Sequence, residues 1–151
     1  MYKKIFFTLL VLLFHNIAFS QTQTREGKGI DTKKEIQNKC KTIVEDFMND
    51  KMKETFEGIG KMWVFPEDEL DYMERKSMEQ LNSIESKFGK PLENKLVKEE
   101  LIEGVLYRLS YAIRYERHGL RIRFTFYYGA ENKWYLDNFK WDDSLDELFE
   151  D

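Results

Sequence analysis

The sequence predicts an α+β domain in which N-terminal helices pack on a curved antiparallel sheet, with a short helix at the C-terminus. Three observations predict it. Between Ile36 and Phe88, apolar residues recur at a spacing near 3.6, as they do on helices with one buried stripe. From Val105 to Tyr128 the period falls to two, as in strands with one buried face. Helical segments come first and strands afterwards, without the alternation that a parallel sheet needs.

The elements follow in chain order. Lys3 and Lys4 form a basic start, and Ile5 to Phe14 is apolar except for Thr8. Ala18-Phe19-Ser20 then supplies small residues at the positions that a signal peptidase reads. Residues 1–20 are therefore expected to be a signal peptide, cleaved between Ser20 and Gln21, which places the chain in the periplasm or outside the cell. An apolar run of ten residues is too short to span a bilayer, and no cysteine follows it to carry a lipid, so no stable membrane anchor is expected. Residues 21–30 are polar and aperiodic and predict a flexible leader. Residues 31–151 are long enough for one domain and not two.

Asp31 and Thr32 suit the cap of a first helix. Its stripe runs through Ile36, Cys40, Ile43, Val44, Phe47, Met48, Met52 and Phe56 to an end near Glu57, before Gly58 and Gly60. Trp63-Val64-Phe65 is an apolar patch in a linker. Pro66 opens a second helix, where its missing N–H costs little, and Glu67, Asp68 and Glu69 favour the positive end of the helix dipole. Leu70, Met73, Leu81, Ile84 and Phe88 line one face, and Gly89 and Pro91 stop it.

A strand is expected over Lys95–Ile102. In the central hairpin, Tyr107, Leu109, Tyr111, Ile113 and Tyr115 alternate with Leu106, Arg108, Ser110, Ala112 and Arg114, and Leu120, Ile122, Phe124, Phe126 and Tyr128 alternate with Arg121, Arg123, Thr125 and Tyr127. Joining them through Glu116–Gly119 pairs Tyr115 with Leu120, Tyr111 with Phe124 and Tyr107 with Tyr128, so apolar residues meet apolar residues. The last strand, Lys133–Trp141, carries Trp134 and Leu136 on one parity and Tyr135, Phe139 and Trp141 on the other. Either both its faces are covered or a bulge near Asp137-Asn138 swaps them. Asp142 and Asp143 suit the cap of a short helix bearing Leu145, Leu148 and Phe149.

Composition excludes several functions. Residues 1–20 hold two of the 24 basic residues and none of the 28 acids, so the remainder has a net charge of −6. Such a domain is unsuited to nucleic acid or an anionic membrane surface. Cys40 is the only cysteine, which excludes an internal disulfide, and its place on the first helical stripe makes it a small buried hydrophobe. His118 is the only histidine after residue 20 and sits in a turn. One histidine and one cysteine exclude the usual zinc sites, the acidic strings lack the spacing of a calcium loop, and no cofactor is expected.

Two residue groups stand out as sites. The inward face of the hairpin collects Tyr107, Tyr111, Tyr115, Phe124, Phe126 and Tyr128. They suit an aromatic pocket with polar handles for a small apolar ligand, or equally a packed core with hydroxyls near its rim. Its outward face collects Arg108, Arg114, Arg121 and Arg123, which suit a partner-binding face or pairing with acids of the neighbouring strand and the final helix. In the expected register Arg114 opposes Arg121, a like-charge pair. Tyr135, Phe139 and Trp141 would anchor a homodimer through the open face of the sheet.

With its helices ahead of a meander, and with the segments Leu120–Gly129 and Lys133–Trp141, the chain resembles the nuclear transport factor 2-like superfamily, whose cone is an α+β, cystatin-like architecture. The resemblance covers residues 31–150 and implies helices enclosed by a strongly curved sheet. The superfamily includes isomerases, dehydratases, carrier and assembly domains and exported bacterial members. Its enzymes resembling ketosteroid isomerase or scytalone dehydratase set Asp, His or paired acid–base groups inside the cone. The inward parity of the central hairpin holds no carboxylate and no histidine, and Asp137 enters the cone in only one of the two registers above. The expectation is therefore an exported, non-enzymatic domain binding a small apolar ligand or an envelope protein partner. The alternatives are a cone-type enzyme using Asp137 and a pocket tyrosine, and a dimerisation module.

Overall fold

Thr32 starts the first helix: its backbone is extended, and its hydroxyl accepts the N–H of Glu35 at 3.1 Å. The computed structural model describes residues 29–149. The signal-like segment 1–20 and residues 21–28 of the expected leader lie outside the described residues. The leader's last residue is not free. Ile30 is buried and exchanges two backbone hydrogen bonds of 2.8 Å with Trp134, so the ordered domain starts earlier than its polar prelude suggests.

The expected first helix is two. Helix α1 spans Lys33–Met48 and α2 spans Met52–Gly60. Between them Asp50 takes a left-handed conformation with φ 58°, which Asn and Asp tolerate better than other side-chain-bearing residues. The break lets Met52, Phe56 and Ile59 turn back onto the core. Gly58 lies inside α2, not beyond its end. A Cβ there would stand 2.9 Å from Ile43 Cγ1, so glycine permits the close approach of α1 and α2.

Helix α3 spans Glu67–Phe88, with Pro66 at its cap and three acids in its first turn. Leu70, Ser77 and Ile84 are its buried residues, while Met73, Leu81 and Phe88 pack partly against the core. Ser77 is a polar residue in that stripe because its hydroxyl accepts the indole N–H of Trp141 at 2.9 Å.

Four strands follow: β1 Pro91–Ile102, β2 Leu106–Tyr115, β3 Gly119–Tyr128 and β4 Trp134–Asp142, hydrogen-bonded in that order as an antiparallel meander. The architecture is α+β with a curved sheet. The central hairpin is offset by two residues from the register that the apolar pattern suggests. Tyr111 pairs with Ile122, Leu109 with Phe124 and Tyr107 with Phe126. The connection is tighter than expected, with the Tyr115 N–H bonded to the His118 carbonyl at 2.9 Å across Glu116-Arg117. A slip of two leaves every side chain on its own face, so turn closure decides what alternation cannot. The slip also removes the expected like-charge pair: Arg121 opposes Ala112, and Arg114 opposes Gly119.

In β4 the pairing jumps between Thr125–Asn138 and Phe126–Leu136, which leaves Asp137 as an extra residue. This bulge turns Trp134 and Leu136 inward before it and Phe139 and Trp141 inward after it. The far edge of β4 is partly paired, through Ile30 and through the Leu136 N–H donated to the Met62 carbonyl at 3.0 Å. The final helix reduces to a 3₁₀ turn, Leu145–Leu148, folded back over the start of β3, while Phe149 stays exposed.

Candidate functional site

The hairpin rings fill the space between sheet and helices. Tyr107, Leu109, Phe124 and Phe126 are fully buried, and Tyr111 and Tyr115 nearly so. Tyr107 donates its hydroxyl to Glu99 at 2.6 Å and accepts from Gln37 Nε2 at 2.9 Å. Burial, then the bond to Glu99, pushes its pKa well above the usual phenol value. Burial does the same at Tyr111, and it pushes Tyr115 up to about 12. Tyr128 is half-buried, with its ring 4.7 Å from that of Trp134. Of the six residues expected to line a pocket, only Tyr115 borders either the groove beside the β4 bulge or the hollow at the end of α1. Tyr107, Tyr111, Phe124 and Phe126 are core, because α1 lays Ile36, Cys40, Val44 and Phe47 into the curve of the sheet, and Tyr128 packs partly buried against that core. Burial also raises the Cys40 thiol well above its ordinary pKa, which leaves it without thiolate character at neutral pH.

On the outward face each arginine has a carboxylate. Arg114 Nε lies 2.7 Å from Glu93, whose pKa falls through that hydrogen bond, and Arg108 lies 3.8 Å from Glu100. Arg121 is 2 % exposed, beneath the C-terminal turn. It bonds Glu147 at 2.6 Å and Asp142 at 2.9 Å, and Arg123 lies 3.7 Å from Glu147. The expected homodimer anchors divide. Tyr135 sits on the outward face, with its hydroxyl donated to Glu131 at 3.0 Å. Phe139 instead meets Phe56 and Phe124, and Trp141 meets Phe47, because the bulge reverses their parity.

The first hollow is a groove of about 520 Å³ that no single segment encodes. The linker brings Trp63 and Phe65, stacked edge-on at 5.3 Å. The first turns of α3 bring Asp68, Glu69, Tyr72 and Met73, and the β4 bulge brings Asp137 and Asn138. Trp63 is held at the edge of β4 by its bridge to Leu136 and is 4 % exposed, yet its indole N–H has no acceptor among the described residues. The side chains of Asp68, Glu69 and Asp137 have no ion pair or hydrogen bond among the described residues, and no base lines the groove. Asp137 therefore comes beside an exposed Tyr72 and not beside the hairpin tyrosines. The apolar linker was legible in the sequence and the bulge was one of two readings there; their meeting was not.

The second hollow, about 370 Å³, lies between the end of α1 and the last turns of α3, where Phe47, Met48, Leu81 and Tyr115 mix with Asp50, Glu85 and Lys90. His118 stands exposed on the hairpin turn, 4.5 Å from the ring of Phe88. Among the described residues, no three His, Cys, Asp or Glu side chains are placed to hold a metal ion, and no helix is long and apolar enough to cross a membrane. Comparison of the chain with protein families, with curated proteins and with solved structures finds no match.

Proposed function

We propose that this chain is an exported, non-enzymatic binding domain and that the groove between the linker, α3 and the β4 bulge receives an apolar ligand or an apolar side chain of an envelope partner. The observation that carries the reading is the wall of Trp63, Phe65, Tyr72 and Met73 around an open volume large enough for a small molecule. Methionine and aromatic walls adapt to the shape of what they bind. Tyr72 is 55 % exposed, so its ring is free to meet a ligand at little cost to the fold.

Titration with the neutral fluorescent probe N-phenyl-1-naphthylamine tests the groove. Tyr72→Ala is expected to weaken probe binding at least threefold and to leave the melting temperature within about 2 °C, as surface changes usually do. An equal affinity in the variant, or no probe binding by the wild type, would reject the groove. The address rests on residues 1–20. The intact mass of the exported protein is expected to begin at Gln21, and a membrane-bound chain that keeps Met1–Ser20 would overturn export as a soluble domain.

A further inference from the structure

We infer that the second hollow is a binding site in its own right, sharing no residue with the groove, and that its ligand is an uncharged small molecule with an apolar body and one carbonyl oxygen. The hollow measures about 370 Å³, enough for such a molecule. Its buried lining is apolar: Phe47 and Ile84 are core residues, and Met48 and Leu81 pack partly against the core. Its charged residues, Asp50, Glu85 and Lys90, are exposed at the rim.

One polar group of this lining lies deep. Tyr115, the last residue of β2, is 6 % exposed, with its ring edge-on to that of Phe88 at 6.0 Å. The other inward tyrosines of β2 bond their hydroxyls within the fold: Tyr107 to Glu99 and Gln37, and Tyr111 to the Gln37 carbonyl at 3.5 Å. The Tyr115 hydroxyl makes no hydrogen bond among the described residues. The charges that act on it are Asp50 and Glu85, both from the rim of the hollow, so the hydroxyl end of the ring faces that space. A buried hydroxyl without a partner is costly, and a ligand that supplies the partner removes the cost. Burial, then Asp50 and Glu85, keeps the phenol protonated at neutral pH, so a proton is what it offers. An ammonium has no lone pair to take that proton. A carboxylate has one but would face Asp50 and Glu85. A hydrocarbon would fill the apolar lining and leave the hydroxyl unmet. A carbonyl oxygen accepts the proton and brings no net charge, while its apolar body meets Phe47, Met48, Leu81 and Ile84.

The test titrates four probes of similar shape into the full exported chain: 2-acetylnaphthalene; 2-isopropenylnaphthalene, in which a methylene group replaces the oxygen; 2-naphthoate; and 2-naphthylmethylammonium. NMR signals of the Leu81 and Ile84 methyl groups report binding in the hollow. The ketone is expected to shift them and to bind about fivefold more tightly than each of the other three, the worth of one hydrogen bond. Tyr115→Phe removes only the hydroxyl. It is expected to melt within about 2 °C of the wild type, because no bond within the fold is lost. It should also bind the ketone about fivefold more weakly and the hydrocarbon as before. Tyr72→Ala, which alters the groove, should leave ketone binding unchanged. Equal binding of ketone and hydrocarbon, tighter binding of either ion, or ketone affinity that survives Tyr115→Phe overturns the inference. So does a ketone that leaves the Leu81 and Ile84 signals in place or is lost with Tyr72→Ala. The groove is judged separately, by its own probe and by Tyr72→Ala.

Discussion

Arg121→Ala is expected to destabilise the domain by about 3–5 kcal/mol, a large share of the roughly 5–15 kcal/mol that holds a domain of this size. The side chain is 2 % exposed on the outward face, opposite the small Ala112, under the turn Leu145–Leu148. Removing it leaves Asp142 and Glu147 facing one another without their shared cation and opens a void where the guanidinium lay. Chemical denaturation checks the magnitude, and a loss below about 1 kcal/mol would mean that the turn lifts and solvent replaces the pair. The same cluster sets an acid dependence. Burial raises the Asp142 carboxyl, but the bonds from Arg121, from the Ser144 N–H and from Lys140 outweigh it, so its pKa lies below the ordinary 3.8. The bond from Arg121 holds Glu147 below 4.5. Carboxyls depressed in the native state stabilise it above their ordinary values and lose that contribution as pH falls through the native ones. Wild-type stability is therefore expected to drop below about pH 4.5, and to drop less steeply in Arg121→Ala.

Tyr107→Ala is expected to cost about 3–5 kcal/mol, whereas Tyr107→Phe should cost about 1 kcal/mol. The ring is fully buried, 5.8 Å from that of Trp134, with the Lys33 ammonium 5.9 Å from its centroid. Truncation opens a cavity that the sheet and α1 cannot close. Loss of the hydroxyl alone leaves Glu99 and Gln37 bonded to each other at 3.1 Å, on the exposed side of the contact. Thermal melting should separate the two variants by roughly 10–15 °C. A small effect of Tyr107→Ala would show that the ring borders open space and would restore the inward tyrosines as a ligand pocket.

Much of the fold was legible because its signals are local. Thr32 as a cap, Pro66 with its acids, and Gly89 and Pro91 after α3 each act within a few residues of themselves. The parity change in β4 narrowed that strand to two readings, both faces covered or a bulge near Asp137-Asn138, and the pairing of Thr125 with Asn138 and of Phe126 with Leu136 selects the bulge. The break at Asn49-Asp50 was visible in principle, since those two residues favour turns, but apolar periodicity running on through Met52 and Phe56 masked it.

Local pattern specified that the first half is helical and the second extended, and which face of the central hairpin is apolar. It was blind to quantities that depend on two distant segments at once. A two-residue slip of the central hairpin preserves every face, so the turn at Glu116-Arg117, and not alternation, selected Tyr111 against Ile122 and Arg121 against Ala112. Whether inward rings become a pocket or a core depends on how deeply α1 sinks into the sheet, and Phe47 and Val44 fill that space. The groove joins residues 63, 72 and 137, which share no local period; only chain reversal at Gly60–Pro66 and the bulge in β4 bring them to one wall. Helical and strand periods describe one element at a time, while sites form where elements meet.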